Sequence, residues 1–124
     1  MLDKALELQR RTKKFALMII ELYRKLPRTG EARVVGDQLL RSGTSVASNY
    51  RAACRARSRA EFISKIGIVV EEADETVFWL ELVVESNILR SDLIQPILIE
   101  ANELLSIFSA SRSTARGTRI NSNH

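Results

Sequence analysis

The chain has 124 residues, of which 45% are apolar and 27% are charged, and these totals are typical of a single soluble globular domain. With only two prolines and five glycines, the sequence argues against many short strands joined by turns. The single cysteine, Cys54, excludes an internal disulfide, and we expect a cytoplasmic protein. There is no uninterrupted apolar run of about 18 residues, so we expect no membrane partner.

The two halves of the chain differ in charge. Residues 1–59 contain 14 Lys/Arg and five Asp/Glu, whereas residues 60–124 contain five Lys/Arg and ten Asp/Glu. A basic surface of one copy could therefore pair with acidic helices of the same chain or of a neighbour, or it could remain open for a polyanion.

Residues 3–26 are predicted to form the first helix, because apolar side chains recur there at helical spacing. These side chains are Leu8, Phe15, Ile19, Leu22 and Leu26. Basic residues cover much of the remaining helix surface, including Arg10, Arg11, Lys13 and Lys14. The segment 27–30 begins with Pro27 and is predicted to be the first loop.

The second helix is predicted over residues 31–57. Gly43, followed by Thr44 and Ser45, would ordinarily weaken a helix, so a break near residue 43 is the competing interpretation. We favour a continuous helix because small residues at helical spacing allow two helices to approach closely.

Four arginines of the second helix, Arg33, Arg41, Arg51 and Arg55, fall within about 80° of one another at 100° per residue. Guanidinium groups suit carboxylates and phosphates equally well. Two interpretations therefore remain open, namely pairing with acidic side chains and a phosphate-binding surface.

The third helix is predicted over residues 59–87. Ser58 and Glu61 form a capping box, in which each side chain can accept a hydrogen bond from the other residue's amide. A core stripe follows at heptad-like spacing, formed by Phe62, Ile66, Val69, Ala73, Val77, Leu80 and Val84. A second apolar group lies on the opposite face and predicts an oligomer interface, formed by Ile68, Trp79 and Leu82.

The fourth helix is predicted over residues 92–111, and residues 112–124 are predicted to be a disordered basic tail. Four helices of this length joined by short loops indicate an all-α protein, an antiparallel up-down-up-down four-helix bundle.

The residues that usually carry catalysis are scarce. The only histidine is His124, the last residue, so no His-based nucleophile pair or zinc site is expected. Glu72 and Glu75 have a spacing that could share a metal, but a row of solvated or paired carboxylates is the simpler interpretation. We therefore expect no enzymatic activity, no metal and no cofactor.

The segments SNYRAACRARSRAEF (Ser48–Phe62) and EEADETVFWLEL (Glu71–Leu82) resemble the bacterial family of 23S rRNA-intervening-sequence proteins, also called four-helix-bundle proteins. The pattern R-S-x-x-S-I-x-x-N is matched by Arg41, Ser42, Ser45 and Asn49. The later pattern R-S-x-x-E-F is matched by Arg57, Ser58, Glu61 and Phe62, and Glu75 matches a recurrent family acid. Between them, the usual Ile-Ala-Glu-Gly is replaced by Tyr50-Arg51-Ala52-Ala53, so no role of that acid is carried over.

The resemblance, which loosely covers residues 5–110, implies a left-handed bundle that assembles into a ring-like homo-oligomer, typically a homopentamer. Some members are encoded within intervening sequences of large ribosomal RNA genes. Others are similar to the accessory variability determinant of diversity-generating retroelements, which partners a reverse transcriptase and binds nucleic acid.

From the residues and the resemblance we expect a non-enzymatic oligomer that binds RNA or DNA, most simply structured RNA, through backbone phosphates. The predicted contacts are Arg41, Arg51 and Arg55 on the second helix and Arg10, Arg11, Lys13 and Lys14 on the first. The alternative is a protein-interaction scaffold whose arginines pair with acidic helices of neighbours or of a protein partner.

Overall fold

The structure, a computed structural model, describes residues 3–117, which form four α-helices and no strand. The helices are α1 (Lys4–Lys25), α2 (Gly30–Cys54), α3 (Arg59–Glu85) and α4 (Ser91–Arg116). Each helix packs on the next one along the chain, and a smaller contact between α1 and α4 closes the bundle. The short loops make successive helices antiparallel. The predicted all-α four-helix bundle is confirmed.

The core is built from the apolar stripes of all four helices. Its largest fully buried side chains are Phe15, Phe108, Ile19, Leu39, Ile66, Leu80, Ile94 and Leu104. The stripes that define these helices in the sequence therefore face one another across the bundle, and their burial is the main source of stability. Two aromatic rings meet at one end of the core, where the Tyr50 and Phe108 centroids are 4.9 Å apart.

The second helix is continuous through Gly43, as predicted. A Cβ atom at Gly43 would lie 2.8 Å from the Ile19 side chain of α1, and one at Gly36 would lie 2.6 Å from Leu26. These two glycines are seven residues apart and face α1, so the absence of a side chain allows α1 and α2 to approach closely. Burial against α1 outweighs the weak helix propensity of the glycines.

A buried polar contact joins α2 to α3. The Thr76 hydroxyl donates to the Glu72 carbonyl at 2.7 Å and lies 3.0 Å from the Ser42 hydroxyl, and both side chains are fully buried. Within residues 3–117, no buried side-chain nitrogen or oxygen lacks a hydrogen-bond partner. The contact therefore satisfies both hydroxyls inside the core.

The capping box at the start of α3 differs from its prediction in one hydrogen bond. The Ser58 side chain accepts from the Glu61 amide at 3.0 Å, as predicted. The Glu61 carboxylate, however, accepts from the amide of Arg57 at 2.9 Å instead of the amide of Ser58. The backbone at Ser58 is extended, and the chain enters the helix with the Arg57 amide facing the carboxylate.

Two predicted helix ends are wrong. Helix α2 ends at Cys54 instead of residue 57, because the amides of Arg55 and Ala56 bond to the carbonyls three residues earlier and tighten the last turn. Helix α3 ends at Glu85, two residues before the predicted end, and Asn87 adopts a left-handed conformation.

The tail prediction is also wrong for residues 112–116, which continue α4 as far as Arg116. This last part of α4 lies against α3, since the Arg59 side chain donates to the Ala115 carbonyl at 2.7 Å. Gly117 then ends the helix in the left-handed conformation. The rest of the predicted tail, including Arg119 and His124, lies outside the described residues.

Helix α4 has the length and composition of a helix that could cross a membrane. Five of its residues, Ile94, Ile97, Ala101, Leu104 and Phe108, are buried in the bundle. Core helices of soluble proteins commonly have the same length and hydropathy, so this feature is weak evidence for a membrane span.

Candidate nucleic-acid interface

A concave surface of about 520 Å³ lies between the N-terminal half of α1 and the C-terminal half of α2, and we call it the α1–α2 groove. Helix α1 contributes Leu6, Gln9, Arg10 and Lys13; helix α2 contributes Thr44, Ala47, Ser48 and Arg51, and Arg55 directly follows α2. The antiparallel packing brings these two segments together even though they are about 40 residues apart in the chain.

Four cations line the groove, namely Arg10 and Lys13 from α1, and Arg51 and Arg55 at the end of α2. All four side chains are exposed, and none of them forms an ion pair with any other residue in the range 3–117. Arg10 and Lys13 are three residues apart on one face of α1, whereas Arg51 lies in the last turn of α2 and Arg55 is the residue that directly follows this helix. The groove therefore combines four unneutralised positive charges on a concave surface.

The remaining lining is small and partly polar. Thr44 and Ser48 donate their hydroxyls to backbone carbonyls of α2, at 2.7 Å and 3.3 Å, which leaves the oxygen lone pairs and not the protons for a ligand. Leu6 and Ala47 contribute apolar surface. Among residues 3–117, no aromatic side chain lines this groove, so the arrangement suits charge contacts and not the stacking of bases.

Arg11, another predicted contact, lies outside the groove and is paired within the chain. Its guanidinium donates to both carboxylate oxygens of Glu100 at 2.7 and 2.8 Å and to Glu103 at 2.6 Å. The hydrogen bond to Glu100, above all, raises the pKa of Arg11 beyond its already high usual value. Arg11 therefore joins α1 to α4.

Arg41 is also paired within the chain. Its guanidinium contacts Glu72 at 3.2 Å, bonds to Glu75 and donates to Gln38 at 2.9 and 3.0 Å. Glu72 and Glu75, whose spacing could share a metal, thus bind an arginine of the neighbouring helix. Among the described residues, no group of three or more His, Cys, Asp or Glu side chains is arranged to hold a metal ion.

Lys14 is exposed on the outer face of α1, beside Leu17, Glu21 and Arg24 and outside the groove. The seven predicted contacts therefore separate into three groups. Four cations share the groove, two arginines are neutralised by carboxylates, and Lys14 lies apart.

The predicted oligomer face on α3 is partly exposed. Ile68 is 36% exposed, whereas Trp79 and Leu82 are half-buried against the bundle, and the Trp79 ring nitrogen donates to Glu75 at 2.9 Å. The most exposed apolar residue of this face is Phe78, at 50%, and its ring meets that of Trp79 edge-on with centroids 4.9 Å apart. Phe78 was not among the predicted interface residues, although its position four residues before Leu82 places it on the same side of the helix.

Cys54, the only cysteine, is half-buried at the end of α2 near Tyr50. Burial, and after it a hydrogen bond with Cys54, raises the pKa of Tyr50 above its usual value. Tyr50 is buried, and its ring packs on that of Phe108.

Sequence reasoning also missed Gln9, Thr44 and Ser48 as parts of the groove. Thr44 and Ser48 could have been found, because together with Arg51 and Arg55 they recur at spacings of four, three and four along one face of α2. No local signal indicates Gln9, whose place in the groove depends on which helix packs against α2.

The fold and this surface define a class of protein, a four-helix bundle in which the basic groove between the first two helices is free of ion pairs within residues 3–117. The sequence model of the 23S rRNA-intervening sequence protein family matches residues 4–110, so the chain belongs to that family. The family prediction made from the motifs is confirmed.

A solved structure from Bacteroides thetaiotaomicron, described as a protein with unknown function from the S23 ribosomal protein family, is similar to this chain. The two are 33% identical with a TM-score of 0.80, over 90% of this chain and 99% of the other. No curated protein matches the chain.

Proposed function

We propose that this protein is a non-enzymatic bundle that binds structured RNA through backbone phosphates in the α1–α2 groove. The observation that carries the proposal is the set of four exposed cations on two helices around one concave surface, free of ion pairs within residues 3–117. The name of the family, which refers to intervening sequences of 23S rRNA, supports RNA as the polyanion.

Binding at this surface would be electrostatic. Each guanidinium or ammonium group neutralises a phosphate and releases condensed counterions, so affinity falls steeply as salt rises. Arg51 and Arg55 can each offer a two-pronged donor to a phosphate, and Lys13 adds a point charge. The described part of the chain contributes no aromatic side chain to the lining, so the groove would position the backbone without reading base identity.

The test compares two double variants that remove the same charge. Arg51→Gln with Arg55→Gln should weaken binding to a structured RNA at least about tenfold and lower the log–log salt slope by about two units, because two phosphate contacts are lost. Binding is measured by fluorescence anisotropy from about 50 to 200 mM salt, a range over which such contacts change affinity strongly.

The matched control is Arg11→Gln with Arg41→Gln, in which both arginines are already paired with carboxylates. This control should retain the salt slope and most of the affinity. Equal losses in the two double variants would mean that only net charge matters and would contradict the assignment to the groove. A random DNA duplex in the same assay distinguishes an RNA preference from general polyanion binding.

We also propose that the bundle assembles into a ring-like homo-oligomer, a homopentamer by resemblance, through the face of α3 around Phe78, Trp79, Ile68 and Leu82. Phe78 and Ile68 leave apolar surface exposed on this face, and contiguous exposed apolar surface is typical of an interaction site. Glu71, Asp74, Glu81 and Glu85 are exposed along the same helix and could meet basic residues of a neighbouring copy.

Phe78→Glu is therefore expected to shift the oligomer towards monomer, because a charge would be buried in the interface. The mass is measured by light scattering at several protein concentrations. The control is Leu17→Glu, which places the same charge at an exposed leucine of α1, and it should keep the native mass. A wild-type protein that is already monomeric would contradict the proposed assembly.

The alternative function, a protein-interaction scaffold, is favoured by the pairing of Arg11 and Arg41 with acidic side chains of other helices. If the protein is such a scaffold, Arg51 and Arg55 of the groove should form ion pairs with carboxylates of a neighbouring subunit or a protein partner, as Arg11 and Arg41 do within the chain. Replacing Arg51 and Arg55 by Glu would then change the mass of the assembly and leave RNA affinity, if any, unaltered.

A further inference from the structure

A second concave surface lies at the other end of the same helix pair, where α1 turns into α2. It has a volume of about 420 Å³, and we call it the loop cavity. Three of its lining residues are arginines, Arg24, Arg28 and Arg33. Arg24 follows Arg10 by 14 residues, which corresponds to about 20 Å along α1, so the loop cavity is distinct from the α1–α2 groove.

The arginines of the loop cavity are exposed, and none forms an ion pair within the described part of the chain. A hydrogen bond to Asp37, at 2.7 Å, raises the pKa of the Tyr23 hydroxyl, while the positive charges of Arg33 and Arg28 oppose this effect. The guanidinium groups of Arg28 and Arg33 therefore act electrostatically on the Tyr23 side of the cavity, together with the Asp37 carboxylate.

The walls of the cavity are held in place by packing. The Tyr23 ring and the Leu26 side chain lie over Gly36, where an added Cβ would be 3.3 and 2.6 Å from them. Pro27 restricts the backbone that leaves α1, and the Tyr23–Asp37 hydrogen bond joins α1 to α2 across the loop. The aromatic and apolar wall is therefore fixed before any ligand binds.

We infer that the loop cavity binds a nucleotide, with the phosphate monoester held by Arg28 and Arg33 and the base lying against Tyr23 and Leu26. A monoester carries nearly two negative charges at neutral pH and has three terminal oxygens, which suits a cluster of arginine forks better than a carboxylate or a singly charged diester does. The N-terminus of α2 adds a partial positive charge that favours an anion. The Thr29 side chain does not cap this helix, so the first backbone amides of α2 remain available as donors.

The nucleotide can be free, or it can be the phosphorylated end of a polynucleotide strand. This inference does not require the α1–α2 groove to bind RNA, since a mononucleotide is too short to reach from one site to the other. If both sites are used, the groove holds phosphodiesters of the backbone and the loop cavity holds a terminal phosphate.

The test uses AMP as the probe and isothermal titration calorimetry with the full chain. AMP is expected to bind saturably, and adenosine, which lacks the phosphate, is expected to bind at least about tenfold more weakly. Arg28→Gln with Arg33→Gln should weaken AMP binding at least about tenfold, whereas Arg51→Gln with Arg55→Gln should leave it within about twofold. NMR spectra of each variant establish that it remains folded.

A short oligonucleotide with and without a 5′-phosphate, titrated into the Arg51→Gln, Arg55→Gln variant, distinguishes the two sources. A phosphate-dependent affinity above that of AMP identifies a strand end, and an affinity no higher than that of AMP identifies a free nucleotide. The inference is overturned if AMP does not bind saturably, if adenosine binds equally well, or if the Arg28/Arg33 variant binds like wild type. Because the groove variant serves as the control, failure here is distinguishable from failure of RNA binding in the groove.

Discussion

Replacing Phe108 by Ala is expected to lower the free energy of unfolding by about 3–5 kcal/mol, the largest single effect we predict. Phe108 is fully buried, and its ring packs on that of Tyr50 with centroids 4.9 Å apart. The substitution removes most of a large apolar side chain and leaves a cavity between α4 and α2 that the well-packed core can fill only partly. Urea denaturation followed by circular dichroism measures the change.

The matched control for this prediction is Phe78→Ala, since both substitutions remove the same atoms from a helix. Phe78 is half-exposed, so its replacement should cost about 1 kcal/mol or less within one subunit. Equal destabilisation by the two variants at low protein concentration would contradict the assignment of Phe108 to the core and Phe78 to the surface. A loss for Phe78→Ala that grows with protein concentration would instead report its burial between subunits.

Gly43→Ala is expected to destabilise the protein by about 1–3 kcal/mol, although alanine is the better helix former by about 1 kcal/mol. The added Cβ would lie 2.8 and 3.0 Å from two carbon atoms of Ile19, which is itself fully buried and branched at its own Cβ. Ile19 therefore has little freedom to move, and α1 must shift away from α2.

Gly67→Ala in α3 is the control, and it should have the opposite sign. The nearest atoms to its added Cβ belong to the Arg112 side chain at 4.0 Å, which is an ordinary contact. We therefore expect Gly67→Ala to stabilise the protein by up to about 1 kcal/mol through helix propensity. Thermal and urea denaturation of both variants check the pair. Stabilisation by both substitutions would show that the close approach of α1 and α2 at Gly43 is not tight.

The same contrast between local and tertiary effects applies to the basic residues. Arg10 and Arg11 are neighbours in the chain, yet Arg10 lines the groove whereas Arg11 is bound by Glu100 and Glu103. A step of one residue turns the side chain by about 100° around α1, from the side of α2 to the side of α4. The sequence shows that both residues are arginines, a type usually found at the surface, but the partner of each depends on the order of helices around the bundle.

The two candidate sites differ in how far they could be predicted. Arg51 and Arg55 were identified from their spacing on one helix, which is a local property. Arg28 and Arg33 were not assigned to a cavity by the sequence analysis, because the concave shape arises only when α1 and α2 pack together at Gly36. The close contact of the Tyr23 and Leu26 side chains with Gly36 depends on how α1 and α2 pack together, and neither helix alone predicts it.

The four helices and the core-facing stripes of α1 and α3 could be predicted from the sequence, because apolar periodicity and capping motifs act over one or two helical turns. The family could be predicted as well, from the residue patterns that begin at Arg41 and Arg57. Helix ends were less well determined, as the extension of α4 to Arg116 shows, since the last turns depend on contacts with α3. Which cations remain unpaired depends on how the helices pack against one another. Arg41 was predicted to form one basic stripe with Arg51 and Arg55. It differs from them because Glu72 and Glu75 of α3, the helix packed beside it, neutralise its charge. Neutralisation of a charge depends on a few ångströms between side chains of different helices, and that distance is set by the packed bundle.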